Sequence, residues 1–209
     1  MMNKNTVIIV DDHPVVVMAL SALLTQHGYE IVATTDNGVD ALNLTKLKKP
    51  NILLLDIGIP MLDGLEVIKR LENIDNPPKV LVLTAQPSNF YANRALLSGA
   101  SGFLSKNSDI SYVIEALKAI SSGYKYFPDS FNFKQKIEKD NVLSILSPRE
   151  LTVFNYLVSG MSNKEIAKEM ILSSKTISTY KSRILEKLNA KNIIELSHIA
   201  NNKVDQENH

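Results

Sequence analysis

Ile52-Leu53-Leu54-Leu55-Asp56 runs four branched aliphatic side chains into a carboxylate, and Ile57-Gly58-Ile59-Pro60 breaks the run before Asp63-Gly64. An unbroken apolar run, without polar alternation, suits a strand covered on both faces, as in a parallel sheet with helical crossovers. Outward from it, comparable runs stand at Thr6–Val10, Glu30–Thr34, Val80–Leu83 and Gly102–Leu104. Helical patterns separate them at Val15–Gln26, Gly38–Leu47, Leu65–Glu72, Asn89–Leu97 and Ile110–Ser121. This alternation predicts a doubly wound α/β domain with a five-stranded parallel sheet. Pro50, Pro60 and the Pro77-Pro78 pair fall between elements, where a missing N–H does no harm.

In such a sheet the carboxyl ends of all strands share one edge. Asp11-Asp12 follow the first strand, Asp56 the third, Thr84 closes the fourth, and Lys106 lies just past the fifth. Three carboxylates, a hydroxyl and an ammonium converge there, a set suited to a hard divalent cation and a phosphoryl group. Singly, each residue has a plainer reading. Asp11 or Asp12 could cap the helix beginning near Pro14, Thr84 could be an ordinary strand-end threonine and Lys106 a surface lysine. Their joint placement favours the site. His13 adjoins it but has no metal partner in sequence, and receives no role.

With 209 residues, 44% of them hydrophobic, the chain is long enough for two modest cores. It has no cysteine, which excludes disulfides and thiolate metal sites. No segment approaches the roughly 20 apolar residues of a membrane span, and no basic region leads into a long apolar run at the start. A soluble cytoplasmic protein is expected, with no membrane partner. The net charge of +1 hides an asymmetry: residues 1–126 carry 11 Lys+Arg against 12 Asp+Glu, the remainder 12 against 10. Within Ser173–Lys191 five basic residues face one acid, Glu186, a local surplus that could meet phosphates.

From Tyr124 the pattern changes. Residues 127–143, with the Phe127-Pro128-Asp129-Ser130 turn and a polar stretch from Phe133, read as a linker between domains at 1–126 and 144–209. Phe127, Phe131 and Phe133 are expected to pack against a domain. Four short helices follow. Ser147-Pro148-Arg149-Glu150, Ser162-Asn163-Lys164-Glu165 and Asn192-Ile193-Ile194-Glu195 each place a cap acceptor three residues before a glutamate, and Ser173 caps the third helix. Gly160 is placed to end the first of them. This predicts a small all-α domain.

The pattern D-x-x-x-P-x-x-D-G from Asp56 to Gly64, with Asp11-Asp12 upstream and Thr84-Ala85 and Lys106 downstream, resembles a response-regulator receiver domain, a flavodoxin-like fold. The resemblance implies that Asp56 is the phosphoacceptor. It further implies that Asp12, Asp56 and the Gly58 carbonyl bind Mg²⁺, with Asp11 orienting a metal-bound water. Thr84 and Lys106 would sense the phosphoryl group, and Phe103 matches the aromatic switch position; the plainer reading of Phe103 is a half-buried aromatic on an edge strand. Asn107 departs from the proline usual after the lysine. Gly58 and Gln86 occupy variable positions beside the phosphoryl site.

Leu146–Glu150, Met161–Ala167 and Ser174–Lys181, continuing through Lys187-Leu188, resemble the LuxR-type helix-turn-helix. Together the two resemblances point to a NarL/FixJ-type two-component response regulator, with Thr176–Arg183 nearest in look to the BvgA/EvgA subgroup. Ser178 and Tyr180 replace the lysine and histidine of most relatives. On the third helix of this domain, Ile177, Tyr180, Ile184 and Leu188 form the expected buried stripe. The opposite face presents Lys175, Ser178, Thr179, Ser182 and Glu186. Small hydroxyl side chains there allow close approach to base edges. Lys164, Lys175, Lys181, Arg183 and Lys187 would reach phosphates. The plainer reading is a solvated helix face. By the same resemblance, Ile193, Leu196 and Ile199 of the fourth helix are the dimer contact, while Ile194 is the one best assigned to the domain's own core.

The expected function is a transcription regulator that binds promoter DNA in sequence-specific fashion and dimerises on activation. A histidine kinase or phosphotransfer protein would phosphorylate it. It would not be an enzyme in its own right. The rivals are a phosphorylation-independent DNA-binding protein with a vestigial receiver, and an aspartate-nucleophile phosphohydrolase. The latter usually carries a second aspartate two residues after the nucleophile, where this chain has Gly58.

Overall fold

The computed structural model describes residues 5–85, 89–127, 142–170 and 172–204. Gln86 and residues 128–141, most of the expected linker with Phe131 and Phe133, lie outside them. The chain forms two compact units, Met1–Ile137 and Glu138–His209.

In the first unit β1 (Thr6–Val10), β2 (Glu30–Thr35), β3 (Ile52–Leu55), β4 (Lys79–Thr84) and β5 (Gly102–Ser105) alternate with five helices. These are α1 (Pro14–Gln26), α2 (Gly38–Lys48), α3 (Gly64–Leu71), α4 (Asn89–Leu97) and α5 (Ser111–Ser121). Every element expected in this half is present, with ends shifted by about one residue. The strands pair in parallel in the order β2-β1-β3-β4-β5. β3 is central, and its four residues are all buried. Because side chains alternate across a strand, Val7, Ile9, Ile52, Leu54, Leu81 and Leu83 share one face, where they pack with Leu20 and Leu24 of α1 and Val113, Leu117 and Ile120 of α5. Ile8, Leu53, Leu55, Val82 and Phe103 bury the other face.

Strand order reverses between β1 and β3, the switch point at which open α/β sheets place their sites. The hydrogen-bond ladder continues beyond the strands there. Asp11 N–H donates to Thr35 O (3.0 Å), Asp56 N–H to Val10 O (2.9 Å) and Lys106 N–H to Thr84 O (2.8 Å). The backbones of the candidate site residues are thereby held in register with the sheet.

Two of the plainer readings of this half do not hold. Neither Asp11 nor Asp12 caps α1: His13 stands at the cap without a side-chain bond, and Pro14 opens the helix. Phe103 is not half-buried but 1% exposed. The edge of β5 is covered by the segment leaving α5, since Phe103 N–H donates to Tyr126 O (2.7 Å) and Tyr126 N–H to Ser101 O (3.1 Å).

The second unit holds a 3-10 turn (Val142–Ile145), α6 (Pro148–Val158), α7 (Asn163–Glu169), α8 (Ser174–Lys187) and α9 (Ile193–Val204). Ser147 and Ser162 form reciprocal capping boxes with Glu150 and Glu165, and Ser173 accepts from Thr176 N–H. Asn192 accepts from Glu195 N–H, but Glu195 returns its bond to Lys191 N–H rather than to the cap residue. Gly160, with φ of 88°, follows α6 in the left-handed conformation. The core gathers Leu146, Val153, Phe154, Leu157, Ile166, Ile177, Ile184 and Leu196. Tyr180, expected in the buried stripe with Ile177, Ile184 and Leu188, is only half-buried.

Gly64 sets α3 directly against the end of β3. A Cβ there would meet the Asp56 carbonyl oxygen at 2.7 Å and Ile57 Cα at 2.7 Å, both backbone atoms. Asp63 caps the same helix, accepting from Leu65 and Glu66 N–H. Gly64→Ala is expected to cost about 1–3 kcal/mol, read as a lower urea midpoint for the first unit. An unchanged midpoint would show that the loop yields freely.

Candidate functional site

At the carboxyl edge of the sheet, Asp11, Asp56 and Thr84 are 4%, 6% and 3% exposed. Lys106 reaches between the two carboxylates, with Nζ 2.6 Å from Asp11 Oδ2 and 2.7 Å from Asp56 Oδ2. Burial alone would lower the pKa of this ammonium. The charge of Asp56 and the hydrogen bonds to Asp11 and Asp56 outweigh it and hold the group above its usual 10.5. The other oxygen of Asp56 accepts from Gly58 N–H at 3.0 Å. Residue 58 faces the carboxylate: a Cβ at Gly58 would lie 3.6 Å from Asp56 Oδ1. Thr84 closes β4 beside this group, and exposed Ala85 follows it. Phe103 rests with its ring inward.

The sequence leaves His13 without a role, yet it belongs to this cluster. Asp11, Asp12, His13 and Asp56 each offer a ligand-capable atom, all within 4.8 Å of one another. Three carboxylates at that spacing repel unless positive charge lies among them, and Lys106 supplies only part of it. The donor set therefore fits a hard divalent cation. The only hint in the sequence is the position of His13 directly after Asp11-Asp12.

In the second unit α8 packs on α6 and α7 and turns Lys175, Ser178, Thr179, Ser182 and Arg183 to solvent. Lys164 of α7 is also exposed, and Lys181 is half-buried. Thr179 Oγ1 donates to Lys175 O and Ser182 Oγ to Ser178 O, each at 3.1 Å. Lys187, expected at a phosphate, places Nζ 2.6 Å from Glu150 Oε2 within the domain. Glu150 is 3% exposed and also accepts from Ser147 N–H at 2.7 Å, so one carboxylate joins the start of α6 to the end of α8. The capping role of Glu150 is readable in the sequence, whereas its link to Lys187 spans 37 residues and is not.

On α9 the expected roles of two residues are exchanged. Leu196, expected at a dimer contact, is fully buried, and Ile194, expected in the core, is 69% exposed. The helical period explains this: Leu196 lies on the face toward α6, and Ile194, two positions earlier, is turned about 160° away from it. Ile193 and Ile199 are half-buried.

Comparison with known proteins agrees with this geometry. Residues 7–118 match the response regulator receiver domain, and residues 144–200 match the bacterial regulatory proteins of the luxR family. The BvgA positive transcription regulator of virulence factors from Bordetella pertussis is 48% identical over 201 residues, 94% of this chain and 96% of that protein. The DNA-binding transcriptional activator EvgA of Escherichia coli K12 is 36% identical over 191 residues, 90% and 94% of the two chains. RcsB from Salmonella enterica serovar Typhimurium, solved on a promoter with a phosphomimetic, superposes with a TM-score of 0.57 at 26% identity, covering 95% of this chain and 98% of that one. RcsB dimers solved on two parallel DNAs give 0.58 at 27% identity, with the same coverage. The chain belongs to the NarL/FixJ-type two-component response regulators, DNA-binding transcription regulators in which a receiver precedes a LuxR-type helix-turn-helix.

Glu150 carries a pH dependence. Burial raises its pKa, but the hydrogen bond and charge of Lys187 and the Ser147 bonds lower it further, to a net value below the ordinary 4.5. A group so depressed adds stability that is fully present above its unfolded pKa and lost as pH falls through its folded one. In the full chain, the stability difference between wild type and Glu150→Gln is expected to be largest near neutral pH. It should shrink as pH falls from the ordinary glutamate value of 4.5 through the lower folded one, followed by helical melting of the second unit. A difference independent of pH would refute the ion-pair role.

Proposed function

We propose that Asp56 accepts a phosphoryl group from a histidine kinase or phosphotransfer protein, and that this strengthens promoter binding by the second domain. The observation that carries the reading is the Lys106 bridge between Asp11 and Asp56 in a chain that also presents a helix-turn-helix. Asp56 supplies the attacking oxygen; its P–O bond forms as the donor's P–N bond breaks, and the leaving imidazole takes a proton from water. Asp12, Asp56 and the Gly58 carbonyl would hold Mg²⁺, with Asp11 behind them, and Mg²⁺ when bound neutralises phosphoryl charge as the oxygen approaches. Lys106 supplies a fixed positive charge on the other side, and the Thr84 hydroxyl donates to a phosphoryl oxygen once it arrives. That bond would hold Thr84, and with it the inward ring of Phe103, in one arrangement.

Gly58 offers no acid or base beside Asp56, which argues against steady hydrolytic turnover and for a regulator that is not itself an enzyme. Among the described residues no helix is long and apolar enough to cross a membrane, and we place the protein in the cytoplasm with its DNA. On DNA a homodimer gains from two adjacent half-sites, since the second half-site is engaged at high effective concentration. Ile193 and Ile199, with exposed Ile194, are the α9 residues available for the dimer interface. Allosteric coupling between Asp56 and the operator is expected at the usual 1–3 kcal/mol.

Two measurements test this reading. Mg²⁺-dependent labelling by a small phosphodonor should occur in the wild type and vanish in Asp56→Asn, with tighter two-half-site binding in the labelled protein only. Label retained by Asp56→Asn at the wild-type level would remove the assignment. Within α8, Ser178, Thr179 and Ser182 should set base preference, each by on the order of 1–3 kcal/mol for a good direct hydrogen bond or methyl contact to a base. Lys164, Lys175, Lys181 and Arg183 should instead change affinity on all sequences, with the salt slope falling by about one for each phosphate no longer neutralised. Lys187, engaged with Glu150, is expected to act mainly through the fold of the domain. If Thr179→Ala leaves base preference intact while Lys181→Ala relaxes it, the reading face of α8 has been placed wrongly.

A further inference from the structure

Lys125 lies far from the carboxylate cluster, on the segment that leaves α5 and runs along β5. Its Nζ donates to Ala100 O at 2.6 Å, yet the residue remains exposed. Ser101 N–H donates to Val80 O at 2.8 Å, which sets Ala100 level with Lys79, the first residue of β4. Side chains alternate along a strand, so Lys79 projects on the face of Leu81 and Leu83, the face that α5 covers. Two ammonium groups are thereby brought to one corner of the sheet, at the edge opposite Asp56. Neither forms an ion pair among the described residues.

Burial first, and the Lys79 charge second, hold the Lys125 ammonium below its usual 10.5. An unprotonated amine has two N–H bonds and one lone pair. The Ala100 carbonyl takes one N–H, which steadies the nitrogen and stabilises positive charge developing on it as a new bond forms. That hydrogen bond leaves the lone pair free to attack. Lys79 also lines a cavity of about 660 Å³ at the same edge, whose walls include Lys46, Lys49 and a single acid, Asp75. Three lysines against one carboxylate attract anions to this corner.

We propose that Lys125 is a site of acylation on Nζ by small acyl phosphates, with Lys79 holding the phosphate end of the reagent. Nζ first gives a proton to water. Its lone pair forms a C–N bond to the acyl carbon while the C–O bond to phosphate breaks, and phosphate leaves with that electron pair. A second proton passes from Nζ to the phosphate, and a neutral amide remains. The step uses neither Asp56 nor a divalent cation. The product keeps one N–H for Ala100 O and loses its charge beside Lys79, so the modification removes the like-charge contact that promoted it.

The test incubates the full chain with acetyl phosphate, caps the remaining amines with isotopically heavy acetyl groups and reads each lysine by mass spectrometry. In the wild type Lys125 should acquire the light group several-fold faster than Lys69 of α3 and Lys168 of α7, both exposed. Lys79→Gln should bring Lys125 down to the rate of those two, whose own rates should not change. Lys79→Arg, which restores the charge, should keep the preference. Equal rates at the three lysines of the wild type would overturn the proposal. So would a Lys125 preference that survives Lys79→Gln, or one lost equally in Lys79→Arg.

Discussion

Three carboxylates brought to one sheet edge repel one another, and the Lys106 ammonium, shared between Asp11 and Asp56, is what makes their proximity sustainable. The cost of burying an unpaired charge is several kcal/mol, so the arrangement holds only with its counter-charge in place. Lys106 can serve because its backbone is hydrogen-bonded to Thr84 at the end of β4, next to β3, which carries Asp56. The same bridge ties the first, third and fifth strands at their functional ends. Stability of the edge and readiness of Asp56 thus depend on one side chain. Anything that adds negative charge to Asp56 must change how Lys106 divides itself between the two acids.

The receiver half is legible because its physics is written locally. Unbroken aliphatic runs such as Ile52–Leu55 announce strands covered on both faces, and residues at strand ends of a parallel sheet must meet. The cover on the edge of β5 escapes such a reading because it comes from Tyr126, more than 20 residues after Phe103 and beyond α5. His13 escapes it too, since a lone histidine beside acids has no partner at ligand spacing in sequence; only the turn after β1 folds its ring back onto Asp11 and Asp12. In the second unit, caps and helix count follow from short-range chemistry. What a helix face touches does not: Ile194 and Leu196 differ by two positions, and their exchange of roles reflects the rotation of α9 on α6, which no local signal sets.

The tie between Glu150 and Lys187 changes how charge on α8 should be regarded. A lysine surplus on a recognition helix is usually assigned wholly to phosphate contacts. Here one member is withdrawn to satisfy a buried glutamate that also caps the neighbouring helix. The orientation of α8 is thereby fixed at its C-terminal end by an ion pair, while the Ser173 cap holds its first turn in helical form. The exposed hydroxyls between these two anchors sit on a rigid rod, which suits residues whose contribution depends on reaching a base edge within a few tenths of an ångström.

The Tyr126 pairing has a consequence for where the first unit ends. A sheet edge with open N–H and C=O groups is a template for strands of other molecules, and proteins guard such edges. β5 would present that template if the chain left the domain at the close of α5. Instead the segment through Tyr124 and Lys125 returns along it, Lys125 donating to Ala100 O at 2.6 Å before Tyr126 joins the ladder. The material edge of the receiver is therefore Tyr126 and not Ser121. A fragment cut between them would expose a sticky flank, prone to strand exchange and self-association even with all five strands and all five helices intact.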